Sequence, residues 1–139
     1  MTSKNIRFFN LAKRMAEMSE YARAPTGCVA VYKNKVVATG VNQLKTSPLQ
    51  ARYNKYRKFD KGNGVYIKPA IHAEMHCLAQ LMHMDVPVHK VEFYVYRACR
   101  SREHGTARPC PACMMALKDF GIQKVYYTTD SGFCYESIA

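Results

Sequence analysis

"IHAEMHCL", residues 71–78, sets a histidine two positions ahead of a glutamate at what reads as a helix start. "RPCPAC", residues 108–113, begins a second helix with a Cys-x-x-Cys pair. Two thiolates spaced in this way at a helix start converge on one metal, and the positive end of the helix favours their anionic form. Pro109 and Pro111 suit that first turn. One histidine and two cysteines, His72, Cys110 and Cys113, leave a fourth tetrahedral position open, as in catalytic rather than structural zinc sites. Zinc held this way lowers the pKa of bound water toward ~7. Glu74, two residues from the histidine, is placed to handle the proton, and one Zn2+ per chain is expected.

Two other readings use the same residues. A redox Cys-x-x-Cys would leave the histidine and the glutamate unexplained. A structural zinc would need a fourth ligand, for which His104 or Cys99 is at hand in the intervening loop. His76 reads as a helix-face residue packed near the core, and His83 and His89 as surface residues. Cys28, Cys77, Cys99 and Cys134 sit among mostly apolar neighbours and read as buried thiols.

Outward from the two motifs, apolar periodicity organises the rest. Phe8, Leu11, Ala12, Met15 and Ala22 share a helical stripe, with Thr2 or Ser3 as cap and Pro25 as stop. "GCVAVYK" (27–33) and "KVVATGVN" (35–42) read as buried strands joined at Lys33-Asn34. Ser47-Pro48 starts a short helix whose Leu49, Tyr53 and Tyr56 share a face. "KGNG" (61–64) is a break. A helix runs from His72 to about Met84, "KVEFYVYRA" (90–98) is a strand, and a loop leads to Arg108. The second motif's helix ends at Gly121. "QKVYYTT" (123–129), a turn at Asp130-Ser131-Gly132 and "FCYESI" (133–138) predict a C-terminal β-hairpin. The order αββαβαββ, with the short helix set aside, implies an α/β fold: one mixed sheet of about five strands with helices packed on it.

The 139 residues amount to one domain, 1–139, with an ordinary apolar share of 48%. No apolar run nears the ~20 residues of a membrane span, and no signal-peptide core follows the first residues, so a cytoplasmic protein is expected. The net charge is +11, which points to an anionic partner. Residues 43–70 carry Lys45, Arg52, Lys55, Arg57, Lys58, Lys61 and Lys68 against Asp60 alone. Residues 97–108 carry Arg97, Arg100, Arg102 and Arg108 against Glu103. Both stretches flank the proposed metal site, where positive charge would meet phosphate. Tyr53, Tyr56, Phe59 and Tyr66, interleaved with the first stretch, suit stacking on unpaired bases, although a solvated charged face is the plainer reading of any such run.

With "HAE" at 72–74 and "PCPAC" at 109–113, the chain resembles the zinc-dependent cytidine and deoxycytidylate deaminase superfamily, whose signature this two-part motif matches. "ATGVN" at 38–42 is similar to that family's second strand. The resemblance implies a cytidine-deaminase-like three-layer fold, zinc bound by His72, Cys110 and Cys113, and hydrolysis of cytosine to uracil. Water would attack C4 while Glu74 takes its proton, delivers it to N3 and assists departure of ammonia. Asn42 would contact the sugar, with Thr26 and the backbone of Ala73 as further substrate contacts. Arg52, Tyr53 and Arg108 join them from the basic stretches. The expected partner is a cytosine-containing nucleotide or single-stranded nucleic acid. A purine deaminase of the same fold and a nucleic-acid-binding module with a structural zinc stay open beside it. Monomer and homo-oligomer are equally compatible with the sequence.

Overall fold

The computed structural model describes residues 1–21, 23–57 and 69–138. The expectations placed on Ala22, Lys58, Phe59, Lys61, Tyr66, Lys68 and the 61–64 break lie outside these residues. β1 (Thr26–Tyr32) and β2 (Lys35–Val41) form the expected hairpin. Lys33 and Asn34 both take positive φ, 50° and 64°, the two-residue turn whose twist matches the flanking strands. β1 pairs antiparallel with β3 (Glu92–Ala98), and β3 runs parallel to β5 (Lys124–Thr128). β6 (Phe133–Ser137) closes the sheet antiparallel to β5, which is the expected C-terminal hairpin.

The sheet order is β2-β1-β3-β5-β6, with one further strand. β4 (His104–Gly105) pairs with Arg97 and Ala98 of β3 inside the stretch that the sequence suggested as loop. Two residues are too few to display a strand's period, so this sixth strand left no pattern to read.

Alternation along the central strands sorts two cores. Val29 and Val31 of β1 with Tyr94 and Tyr96 of β3 meet Phe8, Phe9, Ala12 and Ala16 of α1 (Ser3–Glu17) on one face. Cys28, Ala30, Phe93 and Val95 point to the other face, which carries α2 (Pro48–Asn54), α3 (Ala73–Leu81) and α4 (Pro111–Phe120). Helices on both faces make the three layers. α1 opens on a capping box between Thr2 and Asn5 but ends at Glu17, short of the Pro25 stop that periodicity suggested. No described helix is long and apolar enough to cross a membrane.

Two local features fix the start of α3. Gly40 of β2 lies so close to the start of α3 that a Cβ there would run into the Ala73 carbonyl and come within 3.0 Å of Cys77 Sγ. The ends of the basic insertion are tied to each other as well. Gln43 N–H donates to Ile71 O (2.9 Å), Ile71 N–H to Lys45 O (3.0 Å) and Ser47 N–H to Pro69 O (3.2 Å). The insertion therefore leaves and rejoins the fold at one point, directly before His72.

Candidate metal centre and catalytic cleft

His72 is the N-cap residue of α3 and Cys110 that of α4, both with extended backbone, and neither side chain caps its own helix. The imidazole and the thiol are thereby left to turn toward each other. His72 Nδ1 stands 3.5 Å from Cys110 Sγ and 3.4 Å from Cys113 Sγ, and the three ligand atoms lie within 4.8 Å of one another. Tetrahedral zinc, with bonds of ~2.0 Å to nitrogen and ~2.3 Å to sulfur, holds such a pair about 3.5 Å apart. The donor set and its spacing fit zinc.

The electrostatics also suit a cation. Cys113 donates its S–H toward Cys110, and this bond together with the adjacent His72 holds Cys110 down at about 4 despite burial. The same bond, with burial, pushes Cys113 up. Burial opposes protonation of His72, but Cys110 and Glu74 outweigh it and raise the ring. Glu74 follows in the first turn of α3, 5% exposed. Burial pushes its carboxyl up to about 7, against the opposing pull of His72. A carboxyl poised near neutral pH both accepts and returns a proton readily.

A cleft of about 280 Å³ opens on this centre. Thr26, Asn42, Ala73 and Arg108 line it beside His72, Glu74 and Cys110, so the structure brings these expected residues together. Asn42 clamps the cleft wall: its Nδ2 donates to Ala24 O (2.8 Å), and its Oδ1 accepts Thr26 N–H (3.0 Å) and the Ser19 hydroxyl. Arg108 makes a two-point pair with Glu136, at 2.7 and 3.2 Å. The Tyr127 hydroxyl donates to the same carboxylate (2.7 Å).

Arg52 and Tyr53 do not reach the cleft lining. Tyr53 is 6% exposed, and its hydroxyl donates to Asp119 Oδ2 of α4 (2.9 Å). Arg52 points to solvent on α2. The aromatic face read as a stacking surface is, at Tyr53, a packing surface. His104 is equally occupied elsewhere, with Nδ1 2.6 Å from Thr129 O, and Cys99 sits by Ser101. Neither joins the ligand trio. Cys28 and Cys77 are buried as expected, whereas Cys99 and Cys134 are half-buried.

Sequence reasoning missed Gln50, Tyr21 and the placement of Arg97. Gln50 is fully buried on α2, where Oε1 accepts the His72 backbone N–H (3.1 Å) and Nε2 donates to Asn54 (2.8 Å). Its one signal was a polar residue between the apolar Leu49 and Tyr53. Tyr21 and Arg97 line the cleft with Arg57. His76 behaves as expected, its Nδ1 accepting the Val41 amide at 3.1 Å.

The sequence model of the cytidine and deoxycytidylate deaminase zinc-binding region matches residues 2–129, which takes in every element of this centre. The chain belongs to the cytidine and deoxycytidylate deaminase family. Solved deaminases share its fold. A cytidine deaminase from Burkholderia pseudomallei is 19% identical with a TM-score of 0.65, over 99% of this chain and 94% of that one. A dCMP deaminase from the cyanophage S-TIM5, solved in complex with dCMP and dUMP, is 18% identical with a TM-score of 0.63, over 93% of this chain and 84% of that one. A cytidine deaminase from Mycobacterium leprae is 16% identical with a TM-score of 0.56, over 94% and 91%. A search of curated proteins returned no match. The matched family region is a zinc-binding one, and the trio at the two helix starts offers a donor set of that kind.

Proposed function

We propose that this deaminase hydrolyses the amine of cytosine in a nucleotide, leaving uracil and releasing ammonia. The buried carboxyl of Glu74 beside three convergent metal ligands carries the reading, since a purely structural metal has no need of it. His72, Cys110 and Cys113 would hold one zinc per chain, which when bound supplies a water of lowered pKa. Glu74 takes that water's proton and delivers it to N3 as the oxygen adds at C4. A further proton passes through Glu74 to the amine, and the C4–N bond breaks with ammonia as the leaving group.

The remaining contacts orient the base. The Ala73 amide opens α3 and has no carbonyl partner within its own helix, so it is available to an oxygen of the pyrimidine. Asn42 retains one amide hydrogen beyond the bond to Ala24, which would serve the sugar, and Thr26 shapes the same wall. Arg97 supplies the cation for a nucleotide phosphate, while Arg108 stays braced by Glu136. The relative solved with dCMP and dUMP supports a nucleotide of this size.

The test is turnover of a panel of cytidine, CMP, dCMP and AMP by zinc-loaded protein, with the product base identified. Uracil from a cytosine monophosphate is the expected product. Inosine monophosphate from AMP, with the cytosine compounds untouched, would move the reading to a purine deaminase.

A further inference from the structure

We propose that a second groove, opening off the catalytic cleft, binds the phosphodiester backbone of a single strand whose target cytosine lies in the cleft. This rests on the cytosine deaminase reading and extends its substrate from a nucleotide to a chain. The groove has a volume of about 700 Å³ and shares Arg97 and Thr106 with the cleft, so the two lie side by side. Its cations are Arg23, from before β1, and Arg97, Arg100 and Arg102, from the end of β3 and the residues just after it. All four are exposed. Among the described residues the one acidic member of the lining is Asp130, which pairs with Arg102 at 3.2 Å and accepts the Thr106 hydroxyl at 3.3 Å.

A nucleotide in the cleft offers its phosphate to Arg97 at the junction. It leaves Arg23 and Arg100 without a role, and like charges gathered in a concave surface repel one another unless an anion joins them. A chain running out of the cleft supplies further phosphates at that position. Guanidinium groups bind phosphate oxygens two at a time, and four of them suit several phosphates rather than one. Among the described residues the groove lining holds no aromatic ring, so it would follow the backbone and not the bases. The cations placed to meet the strand are thereby the arginines around the end of β3, while Arg52 of the basic insertion points to solvent on α2.

The experiment uses zinc-loaded protein and a fluorescent oligothymidylate, which has no amine to lose. Anisotropy measures its binding to the wild type and to an Arg23→Ala/Arg100→Ala variant across a salt series. Neither residue lines the cleft. The variant should bind about tenfold more weakly, with a log–log salt slope shallower by about 1.4 for two lost phosphate contacts, and should deaminate dCMP at the wild-type rate. Alkylation of Cys99, which lines the groove, gives a local readout by peptide mass. The strand should protect it more strongly than inorganic tripolyphosphate at equal phosphate concentration. Undetectable strand binding at low salt, binding unchanged in the variant, or equal protection by tripolyphosphate overturns the proposal. Failure of the wild type to deaminate cytidine, CMP and dCMP alike sinks the cytosine reading instead, and the anisotropy series is scored independently of it.

Discussion

The two halves of the functional face are built in opposite ways. The metal half consists of two helix starts, with His72 and Cys110 as N-cap residues and Glu74 and Cys113 buried within the first turns. The anion half consists of exposed arginines before β1, at the end of β3 and just beyond it. Proton transfer and metal binding require fixed distances and low water content, and packed helix termini supply both. Phosphate binding sums many weak, adjustable contacts, and loops suffice for it. The first half should therefore fail at single substitutions and the second should degrade gradually.

Cys113→Ala should break the metal half outright. Removing one of three ligands leaves two, and both metal retention and deamination should fall below detection by elemental analysis and a uracil assay. Gly40→Ala acts on the same half through the fold. Its new methyl group collides with the Ala73 carbonyl at the start of α3, which should cost about 1–3 kcal/mol in urea unfolding and weaken zinc affinity.

The next effect is smaller and depends on pH. Burial, with Lys45 nearby, lowers His76 below its ordinary 6.5, and the neutral ring accepts the Val41 amide. The unfolded chain then binds the proton more tightly than the folded one. Its contribution to stability is full above pH 6.5 and is lost as pH falls below that value toward the folded pKa. His76→Gln should flatten this part of the stability–pH curve. At the other extreme, Arg102→Ala removes an exposed ion pair with Asp130. It should change unfolding free energy by no more than about 0.5 kcal/mol. A loss of several kcal/mol there would erase the contrast between the halves.

Much of the metal half was legible because its chemistry is local. A histidine before a helix and a Cys-x-x-Cys at another helix start carry their roles in their spacing, and the apolar stripes place both helices on one sheet. The hairpin turn at Lys33-Asn34 was legible for a like reason, since Asn34 tolerates the positive φ that such a turn requires. The anion half was not. Charge counts marked the insertion and the 97–108 stretch, yet they could not show that Arg108 is braced by Glu136 or that Tyr53 turns its hydroxyl to Asp119. Nor could they show that Arg23 joins Arg100 across the groove. These are contacts between distant segments with no period to betray them. Gln50 was hidden in the same manner, because its partner is the backbone of His72.

The most direct test of the central claim is zinc content and dCMP turnover measured on one preparation of Glu74→Gln. All three ligands remain, so the variant should hold one zinc per chain like the wild type. Its rate of uracil formation should drop by roughly 10²- to 10⁴-fold, the usual contribution of a positioned acid–base group. Wild-type turnover with zinc in place would contradict the assignment of Glu74 as the group that moves the proton.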